Sequence, residues 1–118
     1  MGVASFYADR FAGRTMADGV RMDPQGENAA SRTLPLGTTA KVTNLVTGKS
    51  AVVTIEDRGP YAKGRIVDLS PSTARRIGIT QRLGVARVVV APIAVPLADG
   101  SLKPGVAAQE DLSPISQD

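Results

Sequence analysis

Five short stretches of this chain predict β-strands, because apolar positions alternate with polar ones in some of them and run together in others. The apolar positions are filled mainly by the branched residues Val and Ile, which favour strands. A turn-forming Val46–Lys49 separates two of the stretches and predicts a hairpin. The five predicted strands are Val3–Ala8, Thr38–Leu45, Ser50–Glu56, Arg65–Leu69 and Val85–Val90.

One helix is predicted among these strands. Ser70 is a typical N-cap residue, Pro71 suits the first helical position, and Gly78 suits the C-terminal end, so a helix is expected over Pro71–Ile77. Residues 9–31 are rich in Gly, Asp, Arg and Asn and follow neither period. They predict a long loop, and loops of this length in small domains are usually functional.

The chain changes character near residue 91. Four prolines and a single basic residue follow, without a sustained apolar period. This composition predicts a folded domain over residues 2–94 and a disordered, Pro-rich tail or linker over residues 95–118. An ordered extension packed on the domain is the alternative, because Ile93, Val95 and Leu97 are apolar.

Composition narrows the possible chemistry. A chain of 118 residues supports one domain, and with only 3% aromatic residues its core must be aliphatic. It contains neither His nor Cys, which excludes a His or Cys zinc site, a Ser-His-Asp triad and a Cys-His nucleophile. No metal or cofactor is expected. A net charge of +3 is too small to indicate nucleic-acid binding, and no apolar run reaches the roughly 20 residues of a membrane span.

Several short motifs resemble, in order and spacing, the double-psi β-barrel of the rare lipoprotein A (RlpA) family. The resemblance covers about residues 2–90. The motifs are Ala4-Ser5-Phe6-Tyr7, Gly13-Arg14, Ala17-Asp18-Gly19, Ala29-Ala30-Ser31-Arg32-Thr33-Leu34-Pro35-Leu36-Gly37, Val42-Thr43-Asn44-Leu45, Asp57-Arg58-Gly59-Pro60-Tyr61 and Gly64-Arg65-Ile66-Val67-Asp68-Leu69-Ser70.

The resemblance implies an all-β fold, a closed six-stranded barrel with a short helix, whose groove accepts a peptidoglycan glycan strand. It implies lytic transglycosylase activity and a place in the periplasm or cell envelope after export, with an outer-membrane lipid anchor in the full-length form. No signal peptide or lipid-acceptor Cys is recognisable in the chain. Expansins and family 45 endoglucanases are similar around Asp57 and Asp68, eleven residues apart.

Asp57 and Asp68 are therefore the candidate catalytic residues. A lytic transglycosylase needs one carboxylic acid to protonate the glycosidic oxygen and then accept the proton of the attacking hydroxyl. Structural roles remain open for both: Asp57 suits a turn that bonds backbone amides, and Asp68 suits pairing with Arg58 or a helix N-terminus.

Two departures from the family weigh against catalysis. Catalytic relatives are expected to carry His where Ser31 stands and an acidic residue where Val20 follows Gly19. Asp57 is thus the one retained member of that trio. Glu27, in the same predicted loop as Ser31, is a candidate to substitute for the missing catalytic groups. The structural alternative is that it is an ordinary solvent-exposed glutamate.

Binding of a glycan strand has further candidates. Tyr7 and Tyr61 are expected to stack on sugar rings, whereas Phe6 and Phe11 more simply fill the end of the barrel. Arginines suit the carboxylates of peptidoglycan, and ion pairing with nearby aspartates is the structural alternative. The predicted binding residues are Tyr7, Arg14, Ser31, Arg58, Tyr61 and Arg65, with Arg32 beside them.

Three hypotheses follow from these residues. The first is a lytic transglycosylase using Asp57 or Asp68. The second is a module that binds or loosens glycan strands without cleavage, as expansins are thought to do, and Ser31 favours it. The third is an envelope domain recruited by a protein partner. The oligomeric state is left open, with a monomer expected because no exposed apolar stripe indicates a dimer.

Overall fold

The computed structural model describes residues 2–6, 13–23, 25–61, 63–80 and 82–106. It contains seven strands and one helix, α1, which covers Pro71–Arg76. The strands in chain order are β1 (Gly2–Phe6), β2 (Asn28–Ala30), β3 (Thr39–Asn44), β4 (Ser50–Asp57), β5 (Arg65–Leu69), β6 (Val85–Pro96) and β7 (Leu102–Pro104).

Six of these strands close into a barrel. Their order around the sheet is β1-β5-β2-β4-β3-β6, and β6 pairs again with β1. Two of the pairs, β1 with β5 and β2 with β4, are parallel, and the others in the ring are antiparallel. Closure leaves the ring without an unpaired edge. The predicted six-stranded, all-β double-psi barrel is confirmed.

The core is aliphatic, and strand alternation decides which residues enter it. Along β4, Ala51, Val53 and Ile55 are buried while Val52 between them is exposed. Side chains of successive strand residues point to opposite faces, so one face of each strand fills the barrel. Other core residues are Ala4, Ala29, Ala40, Val42, Val67, Leu69, Ala74, Ile77, Ile79 and Val88.

The region predicted as one long loop contains β2. Asn28–Ala30 is only three residues long and is buried throughout, so it has no alternating pattern that could reveal it. It forms because β4 and β5 pair with it on either side. The prediction that residues 9–31 are entirely loop is therefore wrong for these three residues.

The helix follows its predicted signals. Ser70 is the N-cap and its hydroxyl accepts the Thr73 amide, while Pro71 opens the first turn. The helix ends at Arg76, one residue before its predicted end, with Ile77 as the C-cap, and Gly78 takes a φ of 91°. That left-handed conformation favours glycine and ends the helix.

The last strand of the barrel is longer than its sequence pattern indicates. β6 continues past Val90 to Pro96, and β7 pairs back on Ala94–Pro96. Pro92 is accommodated because Ile93 forms an irregularity in the pairing with β3, where a missing N–H is tolerated.

The described part of the predicted tail therefore contains a hairpin formed by the end of β6 and β7. This agrees with the alternative that the segment is an ordered extension. The division into a domain over residues 2–94 and a tail stays a prediction, and residues 107–118 lie outside the described part. No helix among the described residues is long and apolar enough to cross a membrane.

Candidate active site

A β-bulge at the end of β4 determines where Asp57 points. Ala29 of β2 lies opposite Ile55, but the next residue, Ala30, lies opposite Asp57. Glu56 is therefore an extra residue in β4. Because a bulge shifts the alternation of a strand by one position, Asp57 shares a face with Ala30.

The same face carries the second candidate aspartate. Ala30 also lies opposite Asp68 of β5, and Asp68 lies opposite Ser5 of β1. Asp68 points away from the core, since Val67 and Leu69 on either side of it are buried inside the barrel. With about 4.8 Å between neighbouring strands, the Cα atoms of the two aspartates are roughly 10 Å apart across β2.

A hairpin over residues 13–23 covers part of this outer face. Thr15 and Arg21 form its β-bridge. Met16 and Met22 are buried with Ala30 in a small cluster separate from the core. The hairpin therefore packs beside the row of residues that carries both aspartates.

Asp57 is held by backbone amides and remains partly exposed. Its Oδ1 accepts the amide of Ala17 in the hairpin at 3.0 Å and the amide of Arg58 at 2.8 Å. Its carbonyl oxygen accepts the amide of Ser31 at 3.1 Å. The predicted amide-binding role is therefore present, and it fixes the direction of the carboxylate without removing it from solvent.

Asp68 has a different partner from the one considered in the sequence. The hydroxyl of Ser5 donates to its Oδ1, and Asp68 is also partly exposed. Arg58 instead donates from Nη1 to the carbonyls of Ser31, at 3.0 Å, and Leu34, at 2.5 Å. Neither aspartate is sealed inside the protein, so both remain candidates for contact with substrate.

A titratable pair beside Asp57, formed by Glu56 and Asp18, was not predicted. Partial burial, together with a side-chain hydrogen bond to Asp18 and repulsion from its charge, raises the pKa of Glu56 from 4.5 to about 7. The acidic doublet Glu56-Asp57 is visible in the sequence. The bulge that separates the two side chains is not, because it depends on the register with β2.

Ser31 serves the local backbone. It is 4% exposed, and its Oγ accepts the amides of Thr33 at 3.3 Å and Leu34 at 3.1 Å. Together with the bonds that Arg58 donates, this stabilises the turn after β2. Both residues lie at the predicted site, but these contacts are within the protein.

The other predicted binding residues are more exposed. Tyr61 is 76% exposed and follows the buried pair Gly59 and Pro60 after β4. Arg14 and Arg65 are exposed, and the carbonyl of Arg65 accepts a bond from Arg32 at 3.4 Å. Tyr7 and Phe11 lie outside the described residues, as does the side chain of Phe6.

A cleft of about 230 Å³ opens beside the turn after β2. It lies between that turn and strands β5 and β6, and its lining combines polar and aliphatic side chains. The aspartates are not among the residues that line it, which are Ser31, Thr33, Leu34, Ile66, Val90 and Pro92.

Comparisons with known proteins agree with this barrel. Residues 1–90 match the protein family described as lytic transglycolase, and the chain belongs to that family. A similar protein from Synechocystis, 54% identical over 78 residues, is named a probable endolytic peptidoglycan transglycosylase RlpA; the match covers 66% of this chain and 24% of that protein.

Two further relatives carry the name endolytic peptidoglycan transglycosylase RlpA. The one from Pseudomonas aeruginosa PAO1 is 43% identical over 76% of this chain and 26% of its own length. The one from Vibrio cholerae is 44% identical over 80% of this chain and 35% of its own length. The chain thus spans between about a quarter and a third of these relatives.

A solved structure supports the fold alone. The Streptomyces papain inhibitor superposes with a TM-score of 0.56 at 20% identity, over 75% of this chain and 87% of that one. The resemblance to the RlpA barrel that the motifs indicated is confirmed by the family and by these relatives.

Proposed function

We propose that this domain acts on the glycan strands of peptidoglycan as a lytic transglycosylase, with Asp57 as its acid and base. The names of the RlpA relatives support the substrate and the reaction class. The observation that carries the proposal is the row formed by Asp57, Ala30 and Asp68. It brings two partly exposed carboxylates to one outer face of the barrel.

The reaction requires one group that gives and then takes a proton. The protonated carboxyl of Asp57 donates its proton to the glycosidic oxygen as the bond from that oxygen to C1 of the muramic residue breaks. The 6-hydroxyl oxygen of the same residue attacks C1, and the carboxylate accepts the hydroxyl proton. The products are a shortened strand with a 1,6-anhydro end and a released sugar hydroxyl.

The remaining residues of the site bind and orient the strand. Asp68, about two strand spacings from Asp57, is placed to stabilise charge at C1 or to bind sugar hydroxyls. Tyr61 presents its ring to solvent and suits stacking on a sugar face. Arg14 and Arg65 suit peptidoglycan carboxylates, and Tyr7 completes the proposed set.

This function places the protein in the cell envelope. Peptidoglycan lies outside the cytoplasmic membrane, so a chain that acts on it must be exported to the periplasm or its equivalent. Lipid anchoring of the full-length protein belongs to the same proposal, and so does a monomeric state.

A non-catalytic function is the second candidate. Ser31 stands where catalytic relatives are expected to carry His, and its hydroxyl bonds two amides of its own turn. Val20 stands where an acidic residue is expected, and its 50% exposed side chain has no charge. Both favour a module that grips or loosens a glycan strand without cutting it.

Incubation of the protein with peptidoglycan sacculi separates the two functions. Mass spectrometry of the soluble products is expected to show 1,6-anhydromuramic ends. Asp57→Asn is expected to reduce their rate of formation by about 10²-fold or more, the usual contribution of a general acid and base.

Asp99→Asn is the matched control, because Asp99 lies in the turn between β6 and β7 and bonds Ser101 there. It is expected to retain the wild-type rate. If the wild-type protein sediments with sacculi but releases no anhydro product, the binding function replaces the enzymatic one. If it neither sediments nor cleaves, recruitment by a protein partner becomes the remaining hypothesis.

A further inference from the structure

The 13–23 hairpin is attached to the end of β4 at two successive residues. The amide of Ala17 donates to the carboxylate of Asp57, and the amide of Asp18 donates to the carbonyl of Glu56, each at 3.0 Å. Met16 and Met22 supply the buried apolar contacts of the hairpin, and the other residues described between 13 and 23 are exposed. Hydrogen bonds to Glu56 and Asp57 and this apolar cluster therefore contribute to holding the hairpin against the barrel.

A third attachment joins two carboxyl side chains. Glu56 and Asp18 share a side-chain hydrogen bond, which is possible only when one of them carries a proton. Asp18 is oriented for this bond because its Oδ1 also accepts the amide of Val20 at 2.9 Å. The bulge brings Glu56 out of regular alternation at the point where the hairpin meets β4.

We propose that Asp18 and Glu56 form a proton-dependent latch that holds the 13–23 hairpin against β4 beside Asp57. With the proton bound, the carboxyl of Glu56 donates to Asp18 and the hairpin is docked. With the proton lost, two carboxylates face each other and the same contact becomes repulsive. Glu56 is then a positioning residue, since it acts on Asp57 through the Ala17 amide.

The hairpin and the end of β4 carry further charged groups around this contact. On the hairpin, Arg14, Arg21 and Asp23 occupy exposed positions on its two arms. At the end of β4, the carboxylate of Asp57 accepts the amides of Ala17 and Arg58. The Arg58 side chain, just after the strand, donates to carbonyls of the turn after β2.

The other elements packed against this end of β4 bring few charges. β2 consists of Asn28, Ala29 and Ala30, so it has no titratable side chain, and the turn after it carries Arg32, which bonds the Arg65 carbonyl. The titratable residue of β3, Lys41, lies opposite Val52, four positions from Glu56.

The direction of the pH effect follows from the pKa of Glu56. Partial burial and Asp18 raise this pKa to about 7 in the docked hairpin, against an ordinary value of 4.5. A raised pKa means that the docked state binds the proton more tightly, so the latch contributes fully below about 4.5 and is lost as the pH rises through about 7. Between pH 6 and pH 8 the undocking equilibrium is expected to increase about tenfold.

Amide hydrogen exchange measures the latch directly. NMR is used to follow exchange of the amides of Ala17 and Asp18 at pH 6 and pH 8. The protection factor of each amide is its intrinsic exchange rate at that pH divided by the observed exchange rate. The protection factors of both amides are expected to fall about tenfold in the wild-type protein. In Glu56→Gln they are expected to be equal at the two pH values, because a Gln amide donates to Asp18 without titrating.

Glu27→Gln is the matched control. Glu27 is exposed and pairs with Arg76 of α1 at 3.4 Å, so this variant is expected to show the wild-type fall. Carbon-13 NMR of the Glu56 carboxyl gives a second measurement, with a midpoint expected near 7.

Three results would overturn the latch: constant protection in the wild type, the same fall in Glu56→Gln, or a Glu56 midpoint at its ordinary value. None of these measurements uses a glycan. They therefore succeed or fail independently of the proposed transglycosylase activity.

Discussion

Ser31 illustrates how one residue of a motif can be committed to the backbone around it. Its buried hydroxyl accepts the amides of Thr33 and Leu34, and its carbonyl accepts a bond from Arg58. These contacts shape the turn between β2 and β3, which also borders the cleft. Any contact of Ser31 with a glycan strand would have to compete with them.

Replacement of Ser31 by Ala is expected to lower the free energy of unfolding by about 1 kcal/mol, because two amides lose their acceptor. Sedimentation with sacculi is expected to be unchanged. Urea denaturation measures the first quantity and a pelleting assay the second. Ser50→Ala, at the exposed start of β4, is the control with no expected loss. Weaker pelleting at unchanged stability would assign Ser31 to the binding surface instead.

Some site residues could be predicted from local sequence motifs, and others depend on how distant strands pair. Asp57 and Asp68 were found because each lies in a recognisable motif. Their meeting across Ala30 could not be read from spacing, since it depends on pairing of β2 with two distant strands. Glu56 was missed for the same reason, because the register with β2 creates the bulge that exposes it to Asp18.

Helix α1 and strand β2 show the same contrast at the level of elements. The cap residues of the helix lie within its own sequence, so the start predicted from Ser70 and Pro71 is correct. β2 is buried between two neighbours and has no alternation of its own. Ser70 links the two elements, because its hydroxyl donates to the carbonyl of Gly26, just before β2, at 2.5 Å.

Ser70→Ala therefore removes a helix cap and a contact to the segment before β2. We expect a loss of about 1–3 kcal/mol in the free energy of unfolding, from the cap and from the Gly26 carbonyl that loses this donor. Ser72→Ala, in the first turn of the same helix, is the control and is expected to be neutral or slightly stabilising. Urea denaturation of both variants decides the matter, and equal midpoints would contradict the capping role.

Closure of the barrel is a property of the whole molecule, and its prediction rested on the family resemblance. Periodicity predicts strands but says nothing of their partners, so it could not show that β6 pairs with both β1 and β3. It also ended β6 at Val90, because Pro92 and Pro96 interrupt the apolar pattern. The pairing of β3 with Ala91, Pro92 and Ala94 extends the strand beyond that point.

Two truncations test where the folded unit ends. A chain ending at Pro96 keeps the pairing of β6 with β1 and β3 and loses only β7, whose three residues are exposed. It is expected to unfold cooperatively with nearly the stability of the full chain. A chain ending at Val90 loses three paired positions opposite β3, and it is expected to be several kcal/mol less stable, since a partner strand is removed from Thr39–Lys41.

Thermal unfolding followed by circular dichroism compares the stabilities of the two truncated chains. Equal stability of both truncations would restrict the domain to the strand that periodicity predicts, whereas strong destabilisation of the chain ending at Pro96 would make β7 part of the domain.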